Sequence, residues 1–198
     1  MDAMDKLIWR TLNCKSGDNL PYTGMRSKAT RLDFYRMFAR LGFTCGAEVG
    51  VGGGRNAEAL LKLMPGVRLL CVDPWAAYDR FPQEYCDRRH AEAVTRLAPF
   101  PNCQIVRQPS LAAAQDIALG SLDFVYIDGD HRFDAVMTDL IEWARRVRVG
   151  GIISGHDYFH FCRAGVVEAV DAYTRAHDVK PWYITRELEP SFIWVKRA

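Results

Sequence analysis

Apolar runs and helically spaced apolar positions take turns along this chain. Cys45–Val49 is a short apolar run ending in glycines, the pattern of a buried strand. Ala57, Leu60, Leu61 and Met64 then recur at i, i+3, i+4 and i+7, a helix stopped by Pro65-Gly66. Val67–Val72 predicts a second strand, residues 84–97 a helix, Cys103–Val106 a third strand and Leu111–Ala118 a short helix. Leu122–Ile127 predicts a fourth strand. The clearest stripe follows it, with Phe133, Val136, Met137, Leu140, Ile141, Ala144 and Val147 on one helical face. Gly150-Gly151 closes that region, and Ile152–Ser154 reads as a fifth strand. Val166, Val167, Val170 and Tyr173 mark another helix. Two β-rich runs, Trp182–Thr185 and Phe192–Val195, flank the turn-like Glu187–Pro190 and predict a closing hairpin. Upstream, residues 1–30 read as a short helix and an irregular segment with Gly17, Pro21 and Gly24; residues 31–41 carry helical spacing.

Five strand–helix alternations imply an α/β fold, a doubly wound parallel sheet with helices on both faces. With the antiparallel C-terminal hairpin, the expectation is seven strands, mostly parallel. No repeat or linker divides the chain, so residues 1–198 are expected to form one domain. A helical cap segment (1–43) would precede the core (44–198).

Composition adds exclusions. The 198 residues are 49% hydrophobic and 25% charged, values that rule out a disordered or collagen-like chain. Net charge is +2, too small for a broad nucleic-acid footprint. No apolar stretch reaches membrane-spanning length, and the N-terminus lacks a signal-peptide pattern. The six cysteines form no CxxC pair. A reduced, cytoplasmic protein is expected rather than a zinc ribbon or disulfide framework.

In parallel α/β sheets, ligands bind beyond the carboxyl ends of the strands. The first strand ends in Glu48-Val49-Gly50-Val51-Gly52-Gly53-Gly54-Arg55-Asn56. Its glycines suit a tight turn and close backbone approach to a ligand, and Asn56 is placed to cap the next helix. Arg55 stands where a dinucleotide fingerprint has glycine, and Glu48 would face a cation or an amine. The second strand ends in Asp73-Pro74-Trp75, an acid placed to accept from ribose hydroxyls. Ser110 either caps the following helix or contacts an adenine edge. The fourth strand ends in Asp128-Gly129-Asp130-His131 and the fifth in His156-Asp157. These clusters are expected to face one another. Their carboxylates suit Mg2+ or Mn2+, and their imidazoles suit general bases; a hydrogen-bonded polar turn pair is the alternative.

EVGVGGGRNAEALL, VDPW, DFVYIDGDHRFDAVMTDL and VGGIISGHDY resemble class I S-adenosylmethionine-dependent methyltransferases. More narrowly, they resemble a small bacterial O-methyltransferase-like group. The resemblance covers about residues 44–175 and implies a Rossmann-like fold. It implies that Gly50, Gly52 and Gly54 approach the cofactor, with Glu48 near its amino group or bridging to the loop. Asp73 would take the ribose hydroxyls, and the turn at Ser110 would border the adenine. In metal-using relatives an acid after the fourth strand and two ligands after the fifth hold the cation, which here match Asp128 (or Asp130), His156 and Asp157. His156 stands where those relatives usually carry an acid.

Methyl transfer is an in-line displacement, so the protein aligns nucleophile and methyl group. It must also generate an anionic oxygen, through a cation near Asp128 or through His131 or His156 as base. The expected acceptor is a small-molecule hydroxyl. Tyr22, Tyr78, Phe81, Tyr158, Phe159 and Phe161 are candidates to shape its pocket. A homodimer through the hairpin edge or the N-terminal helix is a further expectation, with no nucleic-acid or membrane partner. The competing readings are a non-catalytic S-adenosylmethionine-binding module and a nicotinamide-dependent oxidoreductase.

Overall fold

A computed structural model describes residues 2–14, 20–24, 29–78, 81–162 and 164–198. The strands are β1 (Tyr22–Thr23), β2 (Cys45–Val49), β3 (Arg68–Val72), β4 (Cys103–Val106), β5 (Leu122–Ile127), β6 (Val147–Gly155), β7 (Tyr183–Ile184) and β8 (Phe192–Val195). The helices are α1 (Ala3–Leu12), α2 (Arg31–Arg40), α3 (Arg55–Leu63), α4 (Gln83–Leu97), α5 (Ser110–Gln115), α6 (Phe133–Arg146) and α7 (Val166–Ala176). All eight strands form one sheet in the order β1-β7-β8-β6-β5-β2-β3-β4. β4, β3, β2, β5 and β6 run parallel, while β8 is antiparallel to both β6 and β7.

Two expectations are corrected. The sheet has eight strands rather than seven, because Tyr22-Thr23 pairs in parallel with Tyr183-Ile184. The N-terminal segment, expected as a helical cap, therefore contributes a strand to the sheet. For the same reason the hairpin is not an edge: its outer strand β7 is paired by β1. A two-residue strand carries no period-2 signal of its own; it exists because its partner lies 161 positions downstream at the register Tyr22↔Tyr183. Gly17 lies outside the described residues.

Side-chain alternation splits the core in two. Leu69, Cys71, Phe124 and Tyr126 pack with α1, α2, α3 and α4 on one face. Leu70, Val72, Val125 and Ile127 pack with α5, α6 and α7 on the other. On β2, Cys45, Ala47 and Val49 join the second face, which leaves Glu48 pointing into the first. The strand order reverses between β2 and β5, the switch point where the connections on either side part and leave a crevice. β6 begins directly from α6 at Val147, earlier than the Ile152 expected, with a register shift that Gly150 (φ +78°) accommodates.

Candidate functional site

A cleft of about 570 Å3 opens at that switch point. Gly50, Gly52, Asp73, Pro74, Trp75, Ser110, Asp128 and His131 of the predicted site residues line it. Glu48, Gly54, Asn56, His156 and Asp157 do not.

The turn after β2 is held from two sides. Asp73 Oδ2 accepts the backbone N–H groups of Val51 (3.0 Å) and Gly52 (2.9 Å), and Oδ1 accepts that of Trp75 (2.7 Å). The Trp75 indole N–H donates to the Gly52 carbonyl at 2.8 Å. Trp75 is buried and takes a left-handed φ of +42°, strain that these bonds hold in place. Gly50 is required by the protein itself: a Cβ there would lie 2.1 Å from the Asp128 carbonyl oxygen, and its φ is +89°. Gly54 closes against Ala93 and Leu97 of α4, so its role is helix packing.

Asn56 does not cap α3; Gly54 occupies the N-cap without a side-chain bond. The Asn56 amide instead donates to Glu48 Oε1 at 3.0 Å, and its carbonyl accepts the Tyr35 hydroxyl at 2.7 Å. Glu48 is fully buried, and Oε2 has no partner among the described residues. Burial pushes its carboxyl up to about 8, against the lowering effect of Asn56, so the group is largely neutral at pH 7.

Ser110 lines the cleft, but its hydroxyl is engaged. It donates to Asp139 Oδ1 and accepts the Trp143 indole N–H at 2.7 Å. Asp139 also lines the cleft, and burial raises its carboxyl to about 6 although the Ser110 bond opposes this. The sequence reading passed over Asp139. Its signal was there: an acid three residues after Val136 on the buried stripe of α6.

The ends of β5 and β6 meet as expected. His131 Nε2 lies 2.7 Å from Asp157 Oδ2 and 3.8 Å from Asp128 Oδ1, an ion-pair contact rather than an aligned hydrogen bond. His156 Nδ1 lies 3.2 Å from Asp157 Oδ1 and 3.9 Å from Asp128 Oδ1. Asp157 serves both rings from a left-handed backbone (φ +59°), a conformation that Asp tolerates better than most side chains. Exposure separates the imidazoles: the His131 side chain is 35% exposed and lines the cleft, whereas His156 is 7% exposed and does not. Burial works against charge on His131, but Asp128 and Asp157 outweigh it and push the ring up to about 10. The two imidazoles hold Asp157 below the usual carboxylate range despite its burial.

The far side of His156 carries a residue that sequence reasoning missed. Arg31 Nη1 lies 2.5 Å from His156 Nε2. A guanidinium only donates, so Nε2 must be an unprotonated acceptor and the ring proton sits on Nδ1, toward Asp157. Against its burial, Asp157 and Asp128 favour a charged His156 ring, but the Arg31 donor at Nε2 leaves no place for a second ring proton.

Asp128, His156 and Asp157 were expected to hold a divalent cation. Both His156 nitrogens are occupied, one by its own proton and one by the Arg31 bond. Ligand atoms within 4.8 Å of one another fall in two sets, Asp128 with His131 and Asp157, and His156 with Asp157 and Glu189, so the three expected residues do not share one set among the described residues. With Nε2 accepting from Arg31 and the proton on Nδ1, His156 offers no lone pair, so the expected set of Asp128, His156 and Asp157 does not fit Mg2+ or Mn2+.

Of the aromatic candidates, Tyr78 and Phe81 line the cleft, and Phe161 meets His131 edge-on at 5.6 Å and stacks on Phe159. Tyr22 packs on Trp9 and Tyr183, and Tyr158 donates to Asp171 and packs on Trp182; these two belong to the scaffold.

Residues 47–158 match the family described as Methyltransferase domain. The chain belongs to that family. A provisional O-methyltransferase from Klebsiella pneumoniae is 15% identical, with a TM-score of 0.61 over 100% of this chain and 91% of that one. An rRNA methylase from Streptococcus thermophilus is 12% identical, with a TM-score of 0.61 over 87% and 98%. An N-methyltransferase from Bradyrhizobium japonicum is 13% identical, with a TM-score of 0.58 over 85% and 95%. No curated protein matches the sequence. These likenesses establish the Rossmann-like methyltransferase fold, and the family membership establishes an S-adenosylmethionine-dependent methyltransferase. Among the described residues no helix is long and apolar enough to cross a membrane.

Proposed function

We propose that this methyltransferase acts on a hydroxyl of a small molecule, with His131 as the group that receives the hydroxyl proton. The observation that carries the reading is the asymmetry of the two imidazoles: His131 opens on the cleft with Asp157 behind it, while His156 is buried behind both. A base must reach the proton it removes, and of these two rings only His131 reaches the cleft. As a cation in the resting site, His131 must release its proton before it can accept one. Displacement of the Asp157 contact by the acceptor would weaken the hold on that proton, which then leaves to solvent through the cleft.

S-adenosylmethionine supplies, when bound, an electrophilic methyl group on a sulfonium. The residues present fit it. The bend at Gly52 lines the cleft, and Asp73 Oδ1 accepts one backbone N–H, which leaves a lone pair for a ribose hydroxyl. Asp139 lies along the same cleft wall with Oδ1 bonded to Ser110, and its second carboxylate oxygen suits an adenine edge. Tyr78 and Phe81 would flank the acceptor, orienting it and excluding water. A net charge of +2 supports a small acceptor over a polyanion, and cysteine usage supports a cytoplasmic location.

Methyl-labelled S-adenosylmethionine, offered with panels of phenols, sugars and structured RNA, tests the proposal. The expected label appears on a small hydroxyl compound. His131→Ala should lower that turnover by about 100-fold or more. Label on RNA alone, or full turnover without His131, would overturn it.

A further inference from the structure

We infer that Arg31 takes over the charge role of a divalent cation in this site: its guanidinium fixes the tautomer of His156 and shuts that ring off as a metal ligand. The inference deepens the methyltransferase reading above and rests on it for its meaning, though not for its test.

Arg31 is held where it is by contacts independent of His156. The capping box at the start of α2, Thr30 with Asp33, sets the first turn. The Arg31 backbone N–H donates to Glu187 Oε1 at 3.2 Å, and the same oxygen accepts from Thr185 Oγ1 (3.0 Å) and Ser191 Oγ (2.9 Å). Glu187 sits in the turn between β7 and β8, so the C-terminal hairpin anchors the helix start that carries Arg31. From there the guanidinium reaches His156 Nε2 at 2.5 Å.

The consequence follows from lone pairs. An imidazole ligates a metal only through a nitrogen bearing no proton and no other donor. With Nε2 accepting from Arg31, the proton must reside on Nδ1, the nitrogen that faces Asp157 at 3.2 Å and Asp128 at 3.9 Å. That is the face a cation shared with the two carboxylates would have to use. Arg31 thus places a positive charge behind the ring and a donated proton in front of it. Asp157 is steadied from one side by His156, and its other oxygen remains for His131. Arg31 is therefore a positioning residue, acting through His156 and Asp157.

The test reads the metal and the ring directly. Mn2+ is titrated into the purified full chain and followed by its electron paramagnetic resonance signal. The His156 tautomer is read from 15N shifts with His156→Gln as the assignment control. The wild-type protein and Arg31→Lys, which keeps a donor, should show no saturable Mn2+ uptake and an Nδ1–H ring. Arg31→Leu frees the ring to turn its lone pair toward Asp128 and Asp157, and Mn2+ affinity should rise at least about tenfold. Saturable Mn2+ uptake by the wild type that Asp157→Asn abolishes would overturn the inference. So would an Nε2–H ring in the wild type, or an Arg31→Leu protein, folded by circular dichroism, with unchanged tautomer and uptake. If Arg31→Leu does not fold, the wild-type tautomer decides. S-adenosylhomocysteine binding, measured alongside, tests the methyltransferase reading separately, because its loss would leave the Mn2+ and tautomer results standing.

Discussion

Asp73 accepts the backbone N–H of Gly52 at 2.9 Å, which ties the end of β3 to the bend after β2. The same oxygen also holds Val51, so the bend is shaped by a side chain 21 positions away. Asp73→Ala releases these donors and removes the lone pair available to a ribose. Charge-assisted bonds of this kind contribute about 1.5–3 kcal/mol each. Isothermal titration with S-adenosylhomocysteine should therefore show an affinity loss of about 10- to 100-fold. Unchanged affinity would remove Asp73 from the binding site.

Glu48 gives a pH dependence of definite sign. Its folded carboxyl is raised from 4.5 to about 8 by burial, so the folded state retains a proton that the unfolded chain releases. The stability advantage is fully present below pH 4.5 and is lost as pH rises through about 8. Glu48→Gln should flatten this fall and stabilise the protein at pH 9 relative to pH 6 by up to a few kcal/mol. Urea midpoints of both proteins at the two pH values check it; parallel curves would show that Glu48 is ionised in the fold.

Gly50→Ala should be among the most damaging single substitutions. The new Cβ would meet the Asp128 carbonyl carbon at 2.3 Å, in a backbone conformation that alanine resists. A loss above about 4 kcal/mol is expected, since backbone cannot step aside as a side-chain end can. Gly66→Ala meets nothing within 4 Å and serves as the control, with little effect on the denaturation midpoint. Equal midpoints for the two variants would contradict the packing described.

Ser110→Ala leaves Asp139 and the Trp143 indole without their shared partner. A cost of about 1–3 kcal/mol should follow from the unsatisfied groups. Because the Ser110 bond lowers the Asp139 carboxyl, its loss should move that group further above about 6. Carboxyl 13C titration of the wild type and the variant reads the shift; a fall in place of a rise would show that Asp139 finds another donor.

Most of the fold was legible along the chain, and the reason is locality. β4 and β5 occur at the predicted bounds, Cys103–Val106 and Leu122–Ile127, because a short β-prone run bounded by turns is a local signal even with Gln104 and Asp123 inside it. α6 covers 133–146 for the same reason, and Val136, Leu140 and Ala144 of its predicted stripe are buried, whereas Phe133 and Ile141 are exposed and Val147 begins β6. What escaped was non-local: the Tyr22-Thr23 strand exists only through its pairing, and Arg31 meets its partner across 125 positions. Asn56 shows the other failure. Local rules put it at a helix cap, but the unsatisfied Glu48 in the next layer claimed its amide.

Sequence alone determined the alternating α/β order, the polar residues that terminate each central strand, and hence which side chains gather at one edge of the sheet. Those follow from apolar periodicity and from the direction in which parallel strands must run. Only the tertiary structure decided which of those side chains faces the cleft, which is consumed in holding another, and which nitrogen of His156 carries its proton. Such outcomes depend on burial and on donors arriving from distant segments, and neither is written into any local stretch of residues.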